Sequence, residues 1–149
     1  MEVSIKYFDE LSLMEFHDLI ALRIEVFVIE QNCPYQDLDG KDIKSFHLLV
    51  KDIDEGIIGT ARILPPGLSY PEISIGRVVS DKRQRNSGLG HLIMSNAMEF
   101  IKNKWDSKKS VKLSAQSHLT NFYEKHGFKS TGKEYLEDGI PHTEMKFKN

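Results

Sequence analysis

An α/β domain with element order βαβββαβαββ is the architecture that this 149-residue sequence predicts, on three observations. Short β-branched and apolar runs recur between turn formers, as in strands. Two longer segments carry apolar residues at helical spacing. No internal repeat, low-complexity tract or Pro/Ser/Gly-rich linker breaks the chain, so residues 1–149 read as one domain, of the common size of roughly 100–150 residues.

Taken in order, VSIKYF (3–8) is the first strand. Ser12 and Glu15 form a capping box, S-x-x-E, opening a helix to about Ile29 with Phe16, Leu19, Ile20, Ile24 and Phe27 on one face. QNCPYQDLDGKD (31–42) is rich in turn formers without periodicity and reads as a loop. SFHLLVK (45–51) and IIGTARIL (57–64) flank a DEG turn as a hairpin, and after PPG (65–67) comes a third strand of this group, ISIGRVV (73–79). Leu89, Leu92, Ile93, Ala97, Phe100 and Ile101 mark one face of the next helix. VKLSAQS (111–117) is a buried strand and LTNFYEKH (119–126) a short helix stopped by Gly127. The tail 132–147 is a hairpin about Asp138-Gly139.

Composition bounds the function. Apolar residues make up 40% and charged residues 28%, which is ordinary for a globular chain, and a net charge of −2 offers no bulk attraction to nucleic acid or anionic membranes. Lys82, Arg83, Arg85 and the lysine-rich run 102–109 are too little basic surface to argue for nucleic acid. No stretch approaches the roughly 18 apolar residues of a membrane span, and MEVSIKYFDEL lacks a basic segment followed by a long apolar one, so a cytoplasmic location is expected. One cysteine, Cys33, rules out an internal disulfide and a Cys-rich metal site. The six histidines show no paired ligand spacing, and in DLDGKD Gly40 comes too early for a calcium loop, so no metal is expected. Whether the chain is a monomer or a homodimer is left open.

The segment RQRNSGLG (83–90) joins a strand to a helix. A dinucleotide fingerprint would need glycine at Ile93, and a Walker loop would need Gly-Lys-Ser/Thr where the chain has Gly-His-Leu. What remains is R-x-x-G-x-G, Arg85 to Gly90, in which glycines let backbone N–H groups at a helix start approach an anion such as a pyrophosphate. The same glycines could simply permit a tight strand-to-helix turn.

With this loop after a central strand, and with SHLTNFYEKHGF (117–128) just past the buried strand, the chain resembles the GCN5-related N-acetyltransferase (GNAT) superfamily. RIEVFVIEQNCPYQDLDGKD (23–42) and YLEDGIPHTEM (135–145) are similar to its ElaA-like branch. The resemblance implies a mixed central sheet flanked by helices, with the central parallel strands 73–79 and 111–117 splayed apart around the pantetheine of acetyl-coenzyme A (acetyl-CoA). It implies that Val78 and Val79 lie along that arm and that Arg85, Asn86, Ser87, Gly88, Leu89 and Gly90 hold the diphosphate. Asn121 is a further candidate for the cofactor, or a helix cap.

Acetyl transfer to an amine moves two protons. An alkylammonium of pKa roughly 10 must lose one before attack, and the departing thiolate benefits from gaining one. The resemblance casts Tyr123 as the acid, against the plain alternative of a core aromatic. It offers Glu72 as the base, with Ser74, Arg77, Gln116, His118 and water as competitors. Arg23, Glu30, Tyr35, Glu137 and His142 are the candidates for contact with the acceptor amine. Glu25, Glu30, Asp37, Asp39, Asp42, Glu137 and Asp138 would make that side acidic, suiting a cationic amine. For Arg23, on or beside the apolar stripe, snorkelling or a structural ion pair is the competing role. The sequence thus supports an acetyl-CoA-dependent N-acetyltransferase acting on a primary amine; the alternative is a non-catalytic module that binds coenzyme A derivatives.

Overall fold

Among the described residues, seven strands and three α-helices follow one another in the order that the periodicities predict. The computed structural model describes residues 1–106 and 109–148, so Lys108 of the run 102–109 and Asn149 lie outside the described residues. The strands are β1 Glu2–Tyr7, β2 Phe46–Asp52, β3 Gly56–Leu64, β4 Ile73–Ser80, β5 Val111–Gln116, β6 Lys129–Glu137 and β7 Ile140–Phe147. The helices are α1 Leu13–Arg23, α2 Leu89–Lys104 and α3 Thr120–Glu124. They form one mixed sheet ordered β1-β2-β3-β4-β5-β7-β6, in which β4 and β5 are parallel and the other neighbours antiparallel. No described helix is long and apolar enough to cross a membrane.

The local signals act as their chemistry dictates. At Ser12 the hydroxyl accepts from the Glu15 N–H at 3.0 Å while the Ser12 N–H donates to the Glu15 carboxylate at 2.9 Å, closing the capping box. Asp138 and Gly139 both take positive φ, 52° and 78°, as a two-residue hairpin turn requires. The β6 strand starts at Lys129, three residues before the expected hairpin, with a register shift between Ser130 and Glu134.

The first helix differs from its expectation. Its buried positions are Glu15, Leu19, Leu22 and Arg23, continued by Val26, whereas Ile24 is 36% exposed. The α-helical pattern stops at Arg23, and Ile24–Glu30 continues as a π-helical stretch, in which Gln31 N–H reaches Val26 O and Cys33 N–H reaches Val28 O. Of the stripe residues expected past Arg23, Ile24 turns out to solvent while Phe27 keeps its inward place against Leu22, Val26 and Val79. Leu22 and Val26 pack on Val79 of β4, and this small second core fixes the π-helical stretch beside the site.

On the other side of the sheet α2 buries Leu89, Ile93, Met94, Ala97 and Ile101 against β2, β3, β4 and β5. Each large aliphatic among them contributes about 1.5–3 kcal/mol by leaving water. Gly59 of β3 admits the helix closely, since a Cβ there would stand 2.9 Å from Ile93 Cδ1.

Strand pairing sets the position of the site. The β4 and β5 strands pair only at Ile73 with Val111 and Ser74 with Lys112, then diverge. Between β3 and β4 the register slips, with Thr60 opposite Val79 and Arg62 opposite Gly76, so Arg77 and Val78 share the place facing Ala61. Arg77 adopts φ +49° to make this bulge. An extra residue on one strand bends it, and β4 leans away from β5.

Candidate active site

The divergence of β4 and β5 opens a cleft of about 570 Å3. One end is lined by Val78, Val79, Ser80, Arg85 and Gly90 with Phe122 and Tyr123. The other is lined by Tyr35, Tyr70, Ser114, Glu137 and His142. The sheet separates two approaches to it. Leu113 and Ala115 are buried in the α2 core, so Ser114 and Gln116 face the opposite side.

At the first end the chain turns from β4 into α2 through left-handed residues Asn86 (φ +67°) and Gly88 (φ +84°). Gly88 caps α2, and no side chain caps the helix, so the N–H groups of its first turn carry the positive end of a 16-residue helix dipole. A Cβ on Gly88 would meet nothing within 4 Å, so glycine here serves the backbone conformation. At Gly90 a Cβ would come within 3.1 Å of the Phe122 ring, so this glycine also makes room for α3. Ser87 donates its hydroxyl to the Gln84 carbonyl, and Leu89 is a core residue; neither side chain, nor that of Asn86, lines the cleft. What these positions offer is backbone. Arg85 is clasped by Glu30, with Nη2 2.9 Å from Oε1 and a second contact from Nη1 to Oε2. That hydrogen bond holds the Glu30 carboxyl below its usual range and raises the arginine correspondingly. Glu30 is thus tied to the loop between β4 and α2.

Tyr123 is 8% exposed between Phe122 and Phe128, and it borders the cleft. Its hydroxyl makes no hydrogen bond among the described residues, and burial pushes its pKa up to about 12. A phenol so placed is protonated at neutral pH with its proton uncommitted.

The acceptor end departs from the sequence reading in its charge. Arg23, at 1% exposure, donates from Nε to Asp37 at 3.0 Å and from Nη1 to Asp42 at 2.7 Å. Arg62 is bidentate to Asp39 at 2.8 and 2.9 Å and reaches Asp42 at 3.2 Å. Arg77 Nε stands 2.9 Å from Asp37 Oδ1, though not aligned as a hydrogen bond, and its guanidinium covers the Tyr35 ring at 5.4 Å. Three arginines from α1, β3 and β4 therefore lock the aspartates of the DLDGKD loop. Arg23 is a structural anchor out of reach of an acceptor, and Asp37, Asp39 and Asp42 lend the cleft little net charge. Burial is the largest influence and disfavours the charged form of Asp42, yet the hydrogen bond from Arg23 and the charges of Arg23 and Arg62 together outweigh it and the pKa is lowered. Tyr35 lines the cleft but donates to Asp37 at 3.0 Å.

Two more expected residues lie off the cleft. Glu72 pairs with Lys146 at 2.7 Å, which lowers its pKa and makes it a weaker base, and it does not line the cleft. Asn121 is exposed on the outer side of α3 and does not line it either. The structure adds Gln31, whose amide exchanges contacts of 3.3 and 3.5 Å with that of Gln116 across the cleft. It adds Cys33, whose thiol points to the Asp138 carbonyl at 3.5 Å. Both follow the π-helical stretch, so no helical or strand period could assign them a face. Glu137 and His142 meet at 3.2 Å.

The family described as an acetyltransferase (GNAT) domain matches residues 17–149. Protein ElaA of Escherichia coli is 42% identical over 138 residues, 91% of this chain and 89% of its own length. A UPF0039 protein of Schizosaccharomyces pombe is 38% identical over 146 residues, 98% of this chain and 96% of its own. The crystal structure of an acyl-CoA N-acyltransferase from Pseudomonas aeruginosa superposes with a TM-score of 0.91 at 39% identity, covering 99% of each chain.

Proposed function

The chain belongs to the GNAT acetyltransferase family, and on that premise we propose that it transfers an acetyl group from acetyl-CoA to a primary amine by direct attack. One observation carries the reading: the β4–β5 divergence leads directly to the uncapped start of α2, so unpaired strand edge and free helix N–H groups form one continuous wall. The residues fit an acyl-CoA. The edge of β4 at Val78 and Val79 can pair with the amides of an extended arm, as an added strand would. The N–H groups from Ser87 to Gly90, aided by Arg85, can seat a diphosphate. Bound there, acetyl-CoA supplies the activated acetyl thioester.

The chain's own residues supply the rest. An N–H near Val79 can bind the carbonyl oxygen as it gains negative charge. Tyr123 donates its proton to the departing sulfur, and the pKa of about 12 keeps that proton in place across neutral pH. Because the loop aspartates are tied to arginines, the carboxylates left at the acceptor end are Glu137, beside His142, and Asp138, a smaller acidic set than the sequence suggests.

The test is calorimetric titration with coenzyme A, then thiol release from acetyl-CoA across a panel of alkylamines, amino acids and peptides. Binding followed by amine-dependent thiol release is expected. Binding without release to any amine would favour a non-catalytic coenzyme A-binding module.

A further inference from the structure

We propose that His142 takes the proton from the acceptor ammonium, with Glu137 holding the imidazolium that forms; the role rests on the acetyl-transfer reading of the same cleft. Glu72 leaves that task open, being paired with Lys146 away from the cleft.

The argument begins with the hydrogen on the ring. His142 Nδ1 lies 2.7 Å from the Ile140 carbonyl oxygen. A carbonyl can only accept, so Nδ1 carries the hydrogen, and in the neutral ring the lone pair is on Nε2. Nε2 in turn stands 3.2 Å from Glu137 Oε2. A ring that gains a proton on Nε2 then has an acceptor at each nitrogen, and the carboxylate offsets its new charge. The carbonyl orients the ring, and the carboxylate beside Nε2 favours the protonated form.

The ring is also held in place. Tyr135 lies nearly parallel to it, 13° between planes and 6.2 Å between centroids. The Tyr135 hydroxyl donates to Ser114 Oγ at 2.5 Å, so the stacking partner is itself fixed. His142 is 8% exposed and borders the cleft. It sits opposite Gln116 in the β5–β7 register and so shares that residue's face of the sheet, away from the α2 core to which Tyr123 belongs. The proton acceptor and the proton donor therefore reach the cleft from opposite faces, which keeps the two transfers apart.

The titratable neighbours are few. From β6 come Glu137 and Tyr135, from the hairpin turn Asp138, and from the segment before β4 Tyr70, which interacts with Glu137 and Tyr135; β5 presents uncharged Gln116. Glu144, two residues along β7, is taken by Lys112 at 3.0 Å. In the step itself, one N–H bond of the ammonium breaks, its proton forms a bond to Nε2, and its electron pair stays on nitrogen as the lone pair that attacks. The Glu137 side chain is 52% exposed, so it can yield Nε2 to the arriving ammonium and then pass the proton to solvent.

Two measurements on the full chain test this. Long-range proton–nitrogen spectra of 15N-labelled protein read the His142 ring directly: the neutral form should carry its hydrogen on Nδ1. With saturating acetyl-CoA, His142→Gln should slow transfer to the best primary alkylamine of the panel by about 10²-fold. The loss should be at least about tenfold smaller with hydroxylamine, which is already unprotonated at pH 7.5 and needs no base before attack. A hydrogen on Nε2 in the neutral ring, or equal losses with both nucleophiles, would overturn the role. Wild-type protein that releases no thiol with any amine would overturn the acetyl-transfer reading itself, before any variant is compared.

Discussion

Gly88 allows the anion loop to be tested apart from the fold. It caps α2 at φ +84° and ψ 5°, and an added Cβ would meet nothing within 4 Å. Gly88→Ala therefore carries the cost of a left-handed backbone, about 1–2 kcal/mol, without a steric clash inside the protein. Stiffening the unfolded chain offsets about 0.4–1 kcal/mol of this, leaving a net loss of about 0.5–1.5 kcal/mol. For a chain of this length each kcal/mol lowers Tm by about 2–4 °C, so a fall of about 1–6 °C is expected. Binding should suffer more. If the methyl group costs one backbone N–H bond to a charged phosphate oxygen, about 1.5–3 kcal/mol is lost, which is roughly 10- to 150-fold in Kd. Titration calorimetry with coenzyme A, beside thermal unfolding of the same samples, separates the two effects. Gly90 is a poorer probe, because its Cβ would press on Phe122 at 3.1 Å and disturb α3 and the loop together. The expected fall in Tm with wild-type affinity for coenzyme A would refute the loop as the diphosphate seat.

Tyr123→Phe removes only a hydroxyl that makes no hydrogen bond among the described residues, so stability and coenzyme A affinity should hold while kcat falls about 10²- to 10⁴-fold; an unchanged single-turnover rate would return Tyr123 to a packing role. Burial opposes ionisation of Glu15, but hydrogen bonds from Lys51, the Ser12 N–H and Lys6 more than offset it and hold the carboxyl at about 2 instead of 4.5. A pKa lowered on folding stabilises the protein above about pH 4.5, and that stabilisation is lost as pH falls through about 2; it is worth at most about 3 kcal/mol. Urea unfolding from pH 5 to pH 2 should show this loss in the wild-type chain and a flatter profile in Glu15→Gln, and parallel profiles would contradict it. Asp42→Ala strips a carboxylate from buried Arg23 and Arg62 and should cost about 3–5 kcal/mol in urea unfolding. Asp138→Asn at the exposed hairpin turn should change stability by less than about 0.5 kcal/mol, and similar losses in both variants would show that the aspartate lock is not structural.

Local chemistry by itself determined the order of elements, because each signal acts within a few residues. The capping box at Ser12 and Glu15, the Asp138-Gly139 turn and the Arg85 to Gly90 loop before α2 need no distant partner to take their conformations. Of the residues singled out from the sequence, Val78, Val79, Arg85, Gly90, Tyr123, Glu30, Tyr35, Glu137 and His142 border the cleft, whereas Arg23, Glu72 and Asn121 do not. Which charges are spent was a tertiary decision. Asp37, Asp39 and Asp42 look alike in a polar loop, and only the folded sheet brings Arg23, Arg62 and Arg77 onto them from residues 14 to 40 positions away. The same holds for Glu72, which sits close to the anion loop in sequence but meets Lys146 of β7 in space. The π-helical stretch turned Gln31 and Cys33 to the cleft, a rotation that no regular period encodes. A side chain's charge is written in the sequence, but its availability depends on what the strands place within about 4 Å of it, because the energy of an ion pair depends on separation and burial.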